Sequence, residues 1–148
     1  QMCIRDSSDI IRDLKLNINF SSGASSVSIL QGGSSSYFEN ITISCVSSSN
    51  DTELLWLNGG KFVNSKIIID ACEPSIYAEN CILSGVRVQD NIGYAHVDAR
   101  NNTTITGCRG LSISIKQNVS GVIAANNSDT VIYNASTLTN GIYNNITS

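Results

Sequence analysis

The chain has 148 residues and 41% hydrophobic content, enough for the core of one domain. Its charged fraction of 14% and net charge of -3, with a pI near 4.9, give no broad basic field for phosphate backbones. No apolar run approaches the roughly 18–20 residues of a membrane-spanning helix. Polarity is carried instead by Ser, Thr and Asn, as in "SSGASSVS" and "GGSSS". Lys and Arg read as scattered single residues, so neither nucleic acid nor a membrane span is expected as a partner or feature.

In chain order, the first segment stands apart. "MCIRDS" at Met2–Ser7 is the translation of ATG TGT ATA AGA GAC AG, which resembles a transposase end sequence attached during sequencing-library preparation. Residues 1–7 are therefore read as a sequencing artefact. The remainder, 8–148, is read as one segment of a longer protein from an assembled environmental sample. "SSDIIRDLKLN" carries a helical pattern through Ile10, Ile11 and Leu14.

From there the pattern is all strand. Candidates are 27–30, 41–46, 53–58, 66–70, 81–89, 95–99, 103–107, 111–117, 121–125 and 130–136. Ile41, Ile43 and Cys45 alternate with Thr42 and Ser44, and Leu111, Ile113 and Ile115 with Ser112 and Ser114, so one face is apolar and the other hydroxylated. In "ELLWLN" the same alternation puts Leu55 and Leu57 inward, Leu54 and Trp56 outward.

A phrase recurs between these strands: "YFENITIS", "KFVNSKIIID", "IYAENCILS" and "IYNNITS" share an Asn that follows an aromatic or small apolar residue and precedes a strand. With Asn40, Asn64, Asn80, Asn102, Asn127 and Asn145 as the key positions, the mean spacing is 21 residues. This fits a β-solenoid of about 21 residues per coil in which equivalent residues stack. Asn tolerates the left-handed backbone of a sharp corner and can hydrogen-bond the Asn above and below. Asn64 and Asn80 are expected to meet at adjacent corners, and Phe38, Phe62, Ala78 and Ala99 to form one internal stack. Asn-x-Ser/Thr sequons such as that at Asn40 arise from the same pattern.

Four cysteines lie beyond residue 7. Cys45, Cys72, Cys81 and Cys108 fit disulfides or, more simply, small buried hydrophobes, and no metal-ligand spacing is present.

On the repeated Asn phrase and its strands, the chain resembles the right-handed parallel β-helix superfamily of pectate lyases, phage tailspikes and bacterial adhesins. The resemblance implies an all-β, single-stranded right-handed parallel β-helix. It further implies either a non-catalytic segment of an extracellular, cell-surface or virion protein, homotrimeric if tailspike-like, or a fragment of a polysaccharide lyase or glycoside hydrolase. The aspartate clusters and Gly-His-Gly motif of the pectin-cleaving members do not occur. No catalytic, metal or cofactor residues are assigned. The expected ligand is a surface carbohydrate, with Trp56, Tyr77, Tyr94 and His96 as candidate contacts and Asp98 beside His96 on its strand.

Overall fold

The computed structural model describes residues 4–6, 10–20, 28–47, 52–70, 74–90, 95–117, 123–124, 127–128, 133–134, 142–143 and 146–147. The chain visits three parallel sheets, A, B and C, in a repeating order. The first circuit is β1 (Ile4–Asp6), β2 (Ile10–Arg12) and β3 (Lys15–Phe20); the second is β4 (Leu30–Gly32), β5 (Tyr37–Glu39) and β6 (Thr42–Ser47). The third is β7 (Thr52–Asn58), β8 (Lys61–Val63) and β9 (Lys66–Asp70); the fourth is β10 (Pro74–Glu79), β11 (Ile82–Ser84) and β12 (Arg87–Asp90). Then come β13 (Ala95–Arg100) and β14 (Thr104–Thr106), followed by β15 (Leu111–Gln117), β16 (Ile123–Ala124) and β17 (Asn127–Ser128), and finally β18 (Tyr133–Asn134), β19 (Ile142–Tyr143) and β20 (Ile146–Thr147).

Sheet A runs β1-β4-β7-β10-β13-β15-β18, and sheet B runs β19-β16-β14-β11-β8-β5-β2. Sheet C runs β12-β9-β6-β3, and an Arg87–Arg109 bridge carries it one rung further. Each strand pairs with its counterpart one circuit earlier or later, an arrangement compatible with a β-solenoid. Among the described residues there is no helix, hence none long and apolar enough to cross a membrane. The helical pattern of "SSDIIRDLKLN" gives way to β2 and β3. Leu14, Leu16 and Ile18 pack on the core at every second position, and Asp13, with φ 55°, breaks any continuous helix.

Register explains the core. Sheet B stacks Ile11, Phe38, Phe62, Leu83 and Ile105 on consecutive rungs, and sheet A stacks Leu30, Leu55, Ile76, Val97 and Ile113. All but Ile11, which is partly buried, are fully or almost fully buried. The expected Phe38–Phe62–Ala78–Ala99 stack is therefore two stacks. The phenylalanines sit in sheet B, while Ala78 and Ala99 continue Gly32 and Leu57 in sheet A. Leu54, expected outside, is fully buried because the ladder slips there: Ser75 pairs with Glu53 and Ile76 with Leu55, leaving Leu54 as the extra residue of a bulge.

The repeated Asn also resolves into two corners. Between sheets B and C the left-handed residue is Asp13, Asn40, Asn64, Gly85 and Gly107 on successive rungs, with φ between 49° and 64°. Between sheets A and B the positive-φ residues are Gly59 with Gly60, Asn80 and Asn101. Asn64 and Asn80 thus belong to different corners and do not form the expected pair, and Asn101 rather than Asn102 takes the left-handed conformation. Amide groups continue the ladder through the bends: Asn40 N–H donates to Val63 O at 3.2 Å, Asn64 N–H to Ser84 O at 2.8 Å and Gly85 N–H to Thr106 O at 3.0 Å. Side chains contribute where neighbours allow, as when Asn40 Nδ2 donates to Asp13 Oδ1 at 2.6 Å.

Cys45, Cys81 and Cys108 are buried thiols that form no disulfide; Cys72 lies outside the described residues. Burial pushes the Cys81 thiol up to about 12 and the Cys108 thiol up to about 11, from an ordinary 9.0. In the unfolded chain these thiols ionise first, so between pH 9 and these raised values the unfolded state holds fewer protons and stability falls as pH rises. The denaturant midpoint is expected to be insensitive to these groups below pH 8 and to drop between pH 9 and 11. Iodoacetamide at pH 8 should leave all three thiols unmodified in the native protein and alkylate them after unfolding, as read by mass spectrometry. Rapid native labelling of Cys81 would contradict this burial.

Candidate functional site

The outer face of sheet A gathers the residues with most chemistry. Parallel register places Gln31, Trp56, Tyr77 and Asp98 in one outward column, and Asn58, Glu79 and Arg100 in a second. Trp56 is 41% exposed although its strand neighbours Leu55 and Leu57 are fully buried, as alternation requires. Its ring meets Tyr77 edge-on, with centroids 5.5 Å apart and an interplanar angle of 72°. Arg100, one rung further on, places its guanidinium 4.8 Å from the centre of the Tyr77 ring.

Polar contacts hold this face in one arrangement. The Tyr77 hydroxyl donates to Glu79 Oε2 at 2.7 Å, and Asn101 Nδ2 donates to Glu79 Oε1. Desolvation, and next the bond to Glu79, push the Tyr77 phenol above its ordinary value, so it remains a protonated donor at neutral pH. His96 Nε2 lies 3.2 Å from Asp98 Oδ1, with both side chains partly exposed. Next to this pair, Ser75 and Glu53 occupy the earlier rungs of the His96 column, and Ser28 Oγ donates to Glu53 Oε2 at 2.8 Å. Glu79 and Asp98, the carboxylates nearest the aromatic pair, are both engaged by neighbouring side chains.

No protein-family model, curated protein or solved structure matches the chain. The chemistry of the face must therefore be read from its own residues.

Of the four residues singled out from sequence, Trp56 and Tyr77 are in direct contact, and His96 sits on the next strand beside them. Tyr94 lies outside the described residues. Sequence reasoning missed both Arg100 and Glu79 as partners of Tyr77. A signal was available: Trp56, Tyr77 and Asp98 are spaced by 21 residues, as are Asn58, Glu79 and Arg100. A separate shallow depression opens at the corner between sheets A and B, lined by Ser34, Tyr37, Lys61, Asn80, Ile82 and Asn102 among others. Trp56, Tyr77 and His96 do not line it. No group of three His, Cys, Asp or Glu side chains suited to a metal ion occurs among the described residues.

Such a face can offer a ligand an exposed indole, a phenol edge, an imidazole and a guanidinium on a flat, hydrogen-bonded sheet. These are groups that stack on the apolar face of a sugar ring and hydrogen-bond its hydroxyls. Of the two carboxylates nearest the aromatic pair, Glu79 accepts hydrogen bonds from Tyr77 and Asn101, and Asp98 stands 3.2 Å from His96.

Proposed function

We propose that this chain is a non-catalytic segment of a larger extracellular or virion surface protein of the adhesin or tailspike type. It is built as a right-handed parallel β-helix, and it contacts carbohydrate through the outer face of sheet A. The observation that carries the reading is the Trp56–Tyr77–Arg100 array, assembled from three consecutive rungs and fixed by Glu79 and Asn101. The hydroxyl- and amide-rich surface and the three-sheet parallel topology support it. Repeating rungs make a stiff scaffold whose binding groups are displayed at fixed spacing.

Trp56 is the single tryptophan of the chain, so its emission reports on this face alone. Titration with a panel of neutral and acidic oligosaccharides is expected to shift or quench that emission for at least one of them. Tyr77→Ala should weaken the same ligand roughly two- to tenfold, since an aromatic contact supplies about 0.5–1.5 kcal/mol. A flat titration across the panel would contradict the carbohydrate reading. Time-dependent appearance of new chain ends in the oligosaccharide would replace it with a lyase or hydrolase.

A further inference from the structure

The fold stacks cations that look scattered in the sequence. On the outer face of sheet C, register aligns Lys15, Thr42, Lys66 and Arg87, and the Arg87–Arg109 bridge adds Arg109. All four cations are exposed. Four of the nine Lys and Arg residues of an acidic chain thus stand in one column, which overturns the reading of its basic residues as isolated. The local motif behind it repeats at the corner between sheets B and C: a left-handed residue, a packed residue, then an outward one. It reads Asp13-Leu14-Lys15, Asn40-Ile41-Thr42, Asn64-Ser65-Lys66, Gly85-Val86-Arg87 and Gly107-Cys108-Arg109.

Like charges directly opposite one another in a sheet are destabilising, and elsewhere this protein pairs its charges across rungs. Arg12 binds Glu39 at 2.9 Å, and Arg100 covers Tyr77 beside Glu79. Lys66, Arg87 and Arg109 form no ion pair among the described residues. The neighbouring outward column, Asn17, Ser44, Ile68 and Gln89, is uncharged.

We propose that this column binds a linear polyanionic glycan laid along the stacking direction, carrying about one negative charge per sugar ring. Adjacent rungs lie about 4.8 Å apart, so the five positions from Lys15 to Arg109 span about 19 Å. One cation per rung matches an extended chain with one sulfate or carboxylate per ring, because a pyranose repeats at about the same length as a rung. Ser44, Asn17 and Gln89 lie alongside as partners for ring hydroxyls. A nucleic acid fits less well. Duplex DNA carries a charge every ~1.7 Å, and single strands are gripped by stacking aromatics, whereas neither of these two columns of sheet C carries an aromatic residue. The proposal stands on sheet C and does not rest on the sheet A reading.

The test uses the whole chain and isothermal titration with a chondroitin sulfate hexasaccharide. Hyaluronan hexasaccharide, with half the charge density, maltohexaose and hexathymidylate serve as comparison ligands. The expected order is chondroitin sulfate first, hyaluronan at least several-fold weaker and maltohexaose undetectable. Three contacts give a log–log salt slope of about -2, so a fourfold rise in salt should weaken binding roughly tenfold or more. The triple variant Lys66→Gln/Arg87→Gln/Arg109→Gln should lose at least tenfold in affinity and most of the salt slope. The single variant Lys61→Gln, on sheet B, is the charge-matched control for Lys66→Gln and should keep wild-type affinity apart from the change expected from one unit of net charge. Circular dichroism of the triple variant confirms that it is folded. Equal weakening by Lys61→Gln and Lys66→Gln would overturn the proposal in favour of diffuse charge attraction, and tighter binding of hexathymidylate would replace the glycan by single-stranded nucleic acid. No binding of any anionic probe by the wild type would remove the site.

Discussion

Truncating Phe62 to alanine is expected to lower stability by about 3–5 kcal/mol, the usual loss for a fully buried aromatic ring. Phe62 has no solvent exposure, its ring centroid lies 6.5 Å from that of Phe38, and Leu83 stacks on its other side. Removing the ring empties the middle of a column whose neighbours are held in register by main-chain ladders and cannot close over the gap. In a repeat structure the loss is shared with adjacent rungs, because each circuit is stable only against its neighbours. A denaturant titration of Phe62→Ala beside Ser84→Ala, an outward position in the same sheet, checks this. The serine variant should stay within about 0.5 kcal/mol of wild type, and equal shifts in both would mean that the sheet B column is not the core.

Gly59→Ala is the second large effect, at about 3 kcal/mol. Gly59 has φ +95°, and a Cβ there would lie 2.4 Å from the Ser34 Cα and 2.9 Å from the Ser34 amide nitrogen. The obstacle is backbone of the preceding rung, so relief requires moving a whole corner; overpacking of that kind costs about 1–3 kcal/mol, and a side chain in the left-handed region adds ~1–2 kcal/mol. Gly107 provides the contrast. It too is left-handed, at φ +62°, but its Cβ would meet nothing closer than 3.9 Å. Gly107→Asn, which places there the residue used at Asn40 and Asn64, should be nearly neutral, whereas Gly107→Val should cost ~1–2 kcal/mol from conformation alone. If Gly59→Ala and Gly107→Asn shift the denaturant midpoint alike, close packing between corners is not what selects glycine at position 59.

These contrasts show where the sequence could be read and where it could not. Lys66–Asp70 and Leu111–Gln117 were predicted to the residue because alternation within a strand is a local property. Alternation reads 81–89 as one strand, whereas Gly85 bends it into Ile82–Ser84 and Arg87–Asp90. Apolar residues continue across that bend with nothing but one glycine to mark it. The two Asn corners merged for a related reason. Two residues separate sheets B and C at each described turn from β2 to β12, but the connections from C back to A vary, from Phe20–Leu30 in one circuit to Asp70–Pro74 in another. Averaging over unequal circuits returned a mean near 21 while assigning Asn64 and Asn80 to one corner.

Site residues followed the same rule. Trp56 is legible by type and by alternation within its strand, Tyr77 by type alone, since no predicted strand covers Pro74–Glu79. Their contact, the placement of Arg100 over Tyr77 and the alignment of Lys66, Arg87 and Arg109 are register relations between rungs. No single strand contains that information. Bulges such as the one at Leu54 shift it by a residue without leaving a mark in the composition.

Both the sheet A face and the sheet C column depend on the same in-register parallel stacking, and side-chain NOEs of Leu83 test it most directly. Leu83 is fully buried between Phe62 and Ile105 in adjacent strands. Its methyl groups are predicted to show NOEs to the Phe62 ring on one side and to the Ile105 methyls on the other, with amide contacts of the parallel pattern joining Ile82–Ser84 to both neighbouring strands. Close Hα–Hα contacts of an antiparallel pair at these strands, or Leu83 methyls that see neither Phe62 nor Ile105, would contradict the stack and, with it, both binding surfaces.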